Sequence, residues 1–143
     1  MTKKHIYPTK EQILSGDVKH RPEIIRAVFV WKRDIWYKIR NTANSRERFD
    51  ALARLLKEIA SHYNKVIDIV FVPEAPTCSQ KGNLIIINQS VSIISGLHEL
   101  AHFLFDGNEF KACRWSIWLF KKTFPRAYQE LTWRGHMLVK QDA

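Results

Sequence analysis

Leu84-Ile85-Ile86-Ile87-Asn88-Gln89-Ser90-Val91-Ser92-Ile93-Ile94-Ser95-Gly96-Leu97-His98-Glu99-Leu100-Ala101-His102-Phe103-Leu104-Phe105-Asp106-Gly107 is the stretch that decides how this chain folds. Its first four residues are branched and apolar and read as a short buried strand. After Asn88 the apolar period lengthens: Ile93, Ile94, Leu97, Leu100, Ala101 and Leu104 recur at helical spacing. That spacing predicts a helix from about Ser90 or Ser92 to Phe105, with Asn88 as its expected cap and Asp106-Gly107 as its stop.

Downstream, Asn108 is suited to cap a helix running to about Lys122, and Pro125 to open a last helix reaching about Val139. Upstream, Val66–Val72 is β-rich and ends at Pro73, and a loop with two prolines follows to Gly82. Asn44 and Glu47 have capping-box spacing at the start of a helix to about Tyr63, whose apolar stripe is Phe49, Leu52, Leu55, Leu56 and Ile59. Pro22 opens a helical segment reaching Ile39, and Thr9 with Gln12 marks one short helix before it. The order helix, helix, strand, strand, helix, helix, helix defines an α+β class, a small β-sheet packed against helices with extra N-terminal helices.

Within the deciding stretch, His98-Glu99-Leu100-Ala101-His102 reads H-E-x-x-H. Residues four apart lie on one helical face, so two imidazoles converge on one point. Two such nitrogens suit a tetrahedral Zn²⁺ ion, and Glu99 beside the first ligand suits a general base. Histidine is a costly tenant of an apolar helix without a partner, which weighs against two incidental histidines. A third ligand is needed to leave one position open. Glu109, just past the Asp106-Gly107 turn, is the leading candidate, with Glu130 and Asp106 as alternatives. Tyr128, Arg134 and His136, all expected on the last helix, are candidate donors to a developing oxyanion.

These pieces resemble the ImmA/IrrE-type metallopeptidases. The matching residues are Leu84-Ile85-Ile86-Ile87-Asn88, the H-E-x-x-H run, and Glu109-x-x-Ala112-x-x-Trp115-Ser116-x-x-Leu119-Phe120 followed by Pro125. The likeness spans about residues 65–125. It implies a gluzincin-like, minimal zincin-like core, with residues 1–143 as one domain: 1–63 an N-terminal helical part and 64–143 the metallopeptidase core. The activity implied is zinc-dependent endopeptidase cleavage of a regulatory protein in the cytoplasm. Zinc would be held by His98, His102 and Glu109, with Glu99 catalytic.

Composition sets the remaining expectations. Met1-Thr2-Lys3-Lys4-His5 is not followed by the apolar run of a leader peptide, and no run is long enough to span a membrane. Cys78 and Cys113 have no ligand spacing, which favours a reducing compartment. Cys78 as an inhibitory zinc ligand is the weakest of the readings. His5, His20 and His62 have no partner at ligand spacing, and the five tryptophans read as core packing. The net charge is +9, and residues 1–60 hold 14 Lys/Arg against 7 Asp/Glu. That basic half, with aromatics interleaved at Trp31 and Trp36, offers an alternative: a non-catalytic scaffold that binds nucleic acid or an acidic protein. No nucleic-acid motif accompanies the charge, so a solvated helical surface is the preferred reading. The partner expected is a protein or peptide substrate.

Overall fold

Side chains able to satisfy free backbone amides set the helix starts, and the computed structural model describes residues 7–140. The Met1–His5 stretch, His5 included, lies outside the described residues. Thr9 and Gln12 form a complete capping box on α1 (Lys10–Leu14). Pro22 opens α2 (Pro22–Trp31), which continues through a π-helical turn, Lys32–Trp36, into α3 (Tyr37–Ile39). The Asn44 side chain accepts from the amides of Arg46 and Glu47 to start α4 (Ser45–His62). Ser92, rather than Asn88, caps α5 (Ile93–Leu104), and Asn108 caps α6 (Glu109–Thr123). Asn88 instead bridges the loop before it: its amide nitrogen donates to the Pro76 carbonyl, and its oxygen accepts from Ser90.

The sheet has three strands where two were expected. β1 (Asp68–Phe71) and β3 (Leu84–Ile87) run parallel with Ile69 opposite Ile85, and β2 (Ser79–Lys81) adds antiparallel to the other side of β3. Central β3 buries Ile85 and Ile87 completely. β2 lacks the apolar alternation of a strand, because Ser79-Gln80-Lys81 lies on an edge and only Gln80 turns partly inward.

A larger correction concerns the C-terminal part. The expected helix from Pro125 to Val139 stops early: α7 is Pro125–Glu130, and a hairpin follows, β4 (Leu131–Arg134) pairing antiparallel with β5 (Met137–Lys140). Gly135 adopts φ +63 at the turn, a conformation a helix interior does not use. Leu138, with Leu131 and Trp133, packs around Ile13 of α1 and Cys113 and Ile117 of α6. β-prone residues on both sides of that glycine thus bury more as a ribbon than as a polar-faced helix.

One core cluster joins both halves of the chain, including Ile24 and Val28 of α2, Leu52, Leu55 and Leu56 of α4, Ile85 of β3, Leu97 and Leu100 of α5, and Leu119 of α6. Gly96 allows the closest approach between the motif helix and α4: a Cβ there would sit 3.1 Å from Leu52 Cδ2. Trp31 is buried and donates its indole N–H to the Ala51 carbonyl at 2.8 Å, tying α2 to α4. No helix of the described residues is long and apolar enough to cross a membrane, and Cys78 and Cys113 are free thiols.

His20 fixes α6 to the segment before α2. Its Nε2–H donates to the Trp115 carbonyl at 2.9 Å, while Nδ1 faces the Lys122 ammonium at 3.4 Å, with Asp17 on the far side of that ammonium. Burial is the main cause that lowers the His20 pKa below its ordinary 6.5. Below about 6.5 the unfolded chain therefore takes up a proton that the folded chain resists, and stability falls as pH falls. Thermal melts across about pH 5–8 are expected to show this acid-side loss, and His20→Gln, which keeps a donor to Trp115, is expected to flatten it. Parallel curves for the two proteins would contradict the assignment.

Candidate metal centre

The α5–α6 reversal builds the site. Asp106 and Gly107 both take left-handed backbone angles, φ +55 and +76, and the Gly107 amide reaches back to the His102 carbonyl at 2.8 Å. The chain turns within four residues and returns as α6, with Glu109 as its first helical residue. That glutamate faces the two histidines, which α5 presents one turn apart.

The contacts form a triangle. His98 Nε2 and His102 Nε2 lie 3.1 Å apart, Glu109 Oε1 is 3.1 Å from His98 Nε2, and Glu109 Oε2 is 2.8 Å from His102 Nε2. Protons alone cannot satisfy all three sides. If each imidazole donates its Nε2–H to the carboxylate, the nitrogens face each other as donor against donor. A cation at the centre removes that conflict. Ligand atoms around a tetrahedral ion bound at about 2.0–2.1 Å sit about 3.3–3.4 Å apart, so a small outward shift of these side chains would seat an ion. His98, His102 and Glu109 form the one group among the described residues with the donor set and spacing to hold a metal ion.

Charge follows the same geometry. Hydrogen bonds from His102 and His98 hold the Glu109 carboxyl far below the usual carboxylate range. The His102 imidazole is raised, chiefly by its hydrogen bond to Glu109. Cys113, one turn along α6, donates its S–H to Glu109 Oε1 at 3.3 Å, and burial pushes that thiol up so that it stays a donor. Glu99 points to the other side of His98, into a chamber of about 180 Å³ shared with His98, His136, Cys78, Asn88 and Ser95. Burial raises the Glu99 pKa, against the opposing pull of His98 and His102.

The alternatives for a third ligand fall elsewhere. Asp106 is exposed in the left-handed turn, and Glu130 is exposed at the end of α7 in a different hollow. Of the expected oxyanion donors, Tyr128 packs into the core and Arg134 lies exposed on β4. His136 alone arrives, carried by the hairpin turn and not by a helix: its Nε2 is 3.6 Å from Glu109 Oε1, and its ring stacks on Tyr7 at 4.4 Å. Cys78 lines the chamber, but its Sγ donates to Asn88 Oδ1 at 3.5 Å and is outside the His–His–Glu group. The roles of Cys113 and Tyr7 carried no signal in the sequence, because each depends on a fold contact with no motif spacing.

No protein-family model, curated protein or solved structure matches the chain.

Titration with Zn²⁺ followed by thermal or chemical unfolding checks the site. A metal that binds only the folded chain stabilises it by about 2.7 kcal/mol at a hundredfold excess over Kd. The gain is expected for the wild type and is expected to vanish in His98→Ala and Glu109→Gln. An equal gain in all three proteins would place the metal elsewhere.

Proposed function

We propose that this chain is a zinc-dependent endopeptidase with a zincin-like core, acting on a protein substrate. The observation that carries the reading is the convergence of His98, His102 and Glu109 on one point, with Glu99 turned into the adjoining chamber. Two imidazoles and one carboxylate suit zinc, and three protein ligands leave a fourth position open for chemistry. Bound there, zinc would acidify a water molecule and polarise the scissile carbonyl.

The chain's own residues do the rest. Glu99, made more basic by burial, takes a proton from the attacking water and later delivers it to the leaving amine. His136 Nε2, at the edge of the cluster, donates a hydrogen bond to the carbonyl oxygen as it gains charge. Cys113 holds Glu109, and Tyr7 holds the His136 ring by stacking. The resemblance to ImmA/IrrE-type enzymes agrees with this reading and adds a regulatory protein as the substrate class.

A second reading has its own observation. Phe29, Val30 and Tyr37 are exposed on the α2–α3 segment among the exposed Arg26, Arg33, Lys38 and Arg40. That mixed surface suits an acidic partner, and binding through it would weaken steeply with salt without needing Glu99.

Glu99→Gln decides between the two. It is expected to keep its zinc and its fold and to lose roughly 10²–10⁴-fold in turnover of a denatured protein substrate, read as new termini by mass spectrometry. Equal cleavage by wild type and variant would remove the general base, and with it the mechanism.

A further inference from the structure

The turn from β3 into α5 is strained. Val91 is buried with φ +44, a conformation in which a β-branched residue is an outlier. On the far side of this turn from Glu99 lies a second hollow of about 700 Å³, much larger than the Glu99 chamber. Ser90, Ile94, Ser95 and Leu138 line both, so the two hollows adjoin and share the first turn of α5 as a wall.

The hollow has an apolar interior and a rim that carries two arginines, Arg40 and Arg48, against one glutamate, Glu130. Phe120, Phe124, Ala127 and Leu131 face it, with the half-buried Trp36 on one side. Arg40 and Arg48 stand at its edge. Arg48 is fixed by a hydrogen bond to the Thr42 carbonyl, and the Arg40 guanidinium lies over the Tyr37 ring at 4.9 Å. Among the described residues neither arginine is joined to a carboxylate within ion-pair distance, so both keep donors for an outside anion. The volume falls in the range of sites that enclose a ligand. The buried phenylalanine rings offer depth to one side chain rather than a flat exposed platform for stacked bases.

We propose that this hollow is a specificity subsite beside the Glu99 chamber. It takes one large apolar side chain of an extended protein substrate, and Arg40 and Arg48 engage an acidic residue next to it. The role as a subsite rests on the peptidase reading; the preference for an acidic, apolar-anchored peptide rests on the hollow alone. The substrate main chain passes Ser90, Ser95 and Leu138 into the Glu99 chamber, which puts the cleaved bond within a few residues of the anchor.

The test uses the zinc-loaded 143-residue Glu99→Gln chain and fluorescently labelled short peptides carrying Phe, Leu, Ala or Lys at one position and Asp or Lys beside it. Fluorescence anisotropy is expected to rank Phe or Leu with Asp tightest. Ala127→Trp, which fills the hollow, is expected to weaken that peptide by at least about tenfold at unchanged zinc content, the loss of one well-filled anchor. Arg40→Glu, an exposed change with little bearing on folding, is expected to shift the preference from Asp to Lys. Peptide binding indifferent to both changes, or no binding at all, overturns the proposal. So does a labelled single-stranded oligonucleotide that binds instead and is displaced by Ala127→Trp. If the wild type cleaves no peptide while the ranking still follows Ala127 and Arg40, the hollow stands as a peptide site and the peptidase reading alone fails.

Discussion

A carboxylate wedged between two imidazole nitrogens is the interaction on which this structure turns. Three ligand-type atoms stand within 4.8 Å of one another, an arrangement that protons satisfy poorly and a cation satisfies well. It exists because α5 and α6 are joined by a reversal short enough to return Glu109 to the turn it has just left. Two consecutive residues in left-handed backbone conformations make that reversal, and Gly107 accepts its angle at no steric cost. The rest of the fold holds this hairpin still: α4 packs against the motif helix at Gly96, and β3 leads into it.

Much of this was written in local pattern. The motif helix was legible because its apolar period, its stop and its histidine spacing agree on one face. The leading choice of Glu109 followed from the glycine turn, and the structure brings that carboxylate, not Asp106 or Glu130, to the histidine pair. What stayed hidden depends on long-range burial. The residues from Leu131 to about Val139 read as a helix because their apolar positions fit either period over so short a run. The packing of Leu138 against Ile13 and Ile117, with Gly135 at the turn, favours the hairpin. β2 was missed because an edge strand of Ser, Gln and Lys has no face to bury. His136 was singled out for its chemistry, but its route to the site needed the hairpin turn that the helical reading excluded.

Electrostatics gives the two carboxylates different tasks. Glu109, bound by hydrogen bonds from both histidines, is held ionised and fixed. Glu99, pressed into a small chamber beside the same His98, is pushed the other way by burial. A fixed anion on one side and a carboxyl with a raised pKa on the other is the division that the proposed hydrolysis would require. The apolar hollow adjoins the Glu99 chamber across the Val91 turn, and the two share Ser90, Ile94, Ser95 and Leu138 as lining.

Zinc K-edge X-ray absorption on the purified, zinc-loaded protein reads the central arrangement most directly. The account predicts two imidazole nitrogens at about 2.0–2.1 Å with the remaining ligands oxygen, one of them exchangeable with solvent. A sulfur ligand, three imidazoles closing the site through His136, or no tightly held zinc would contradict it.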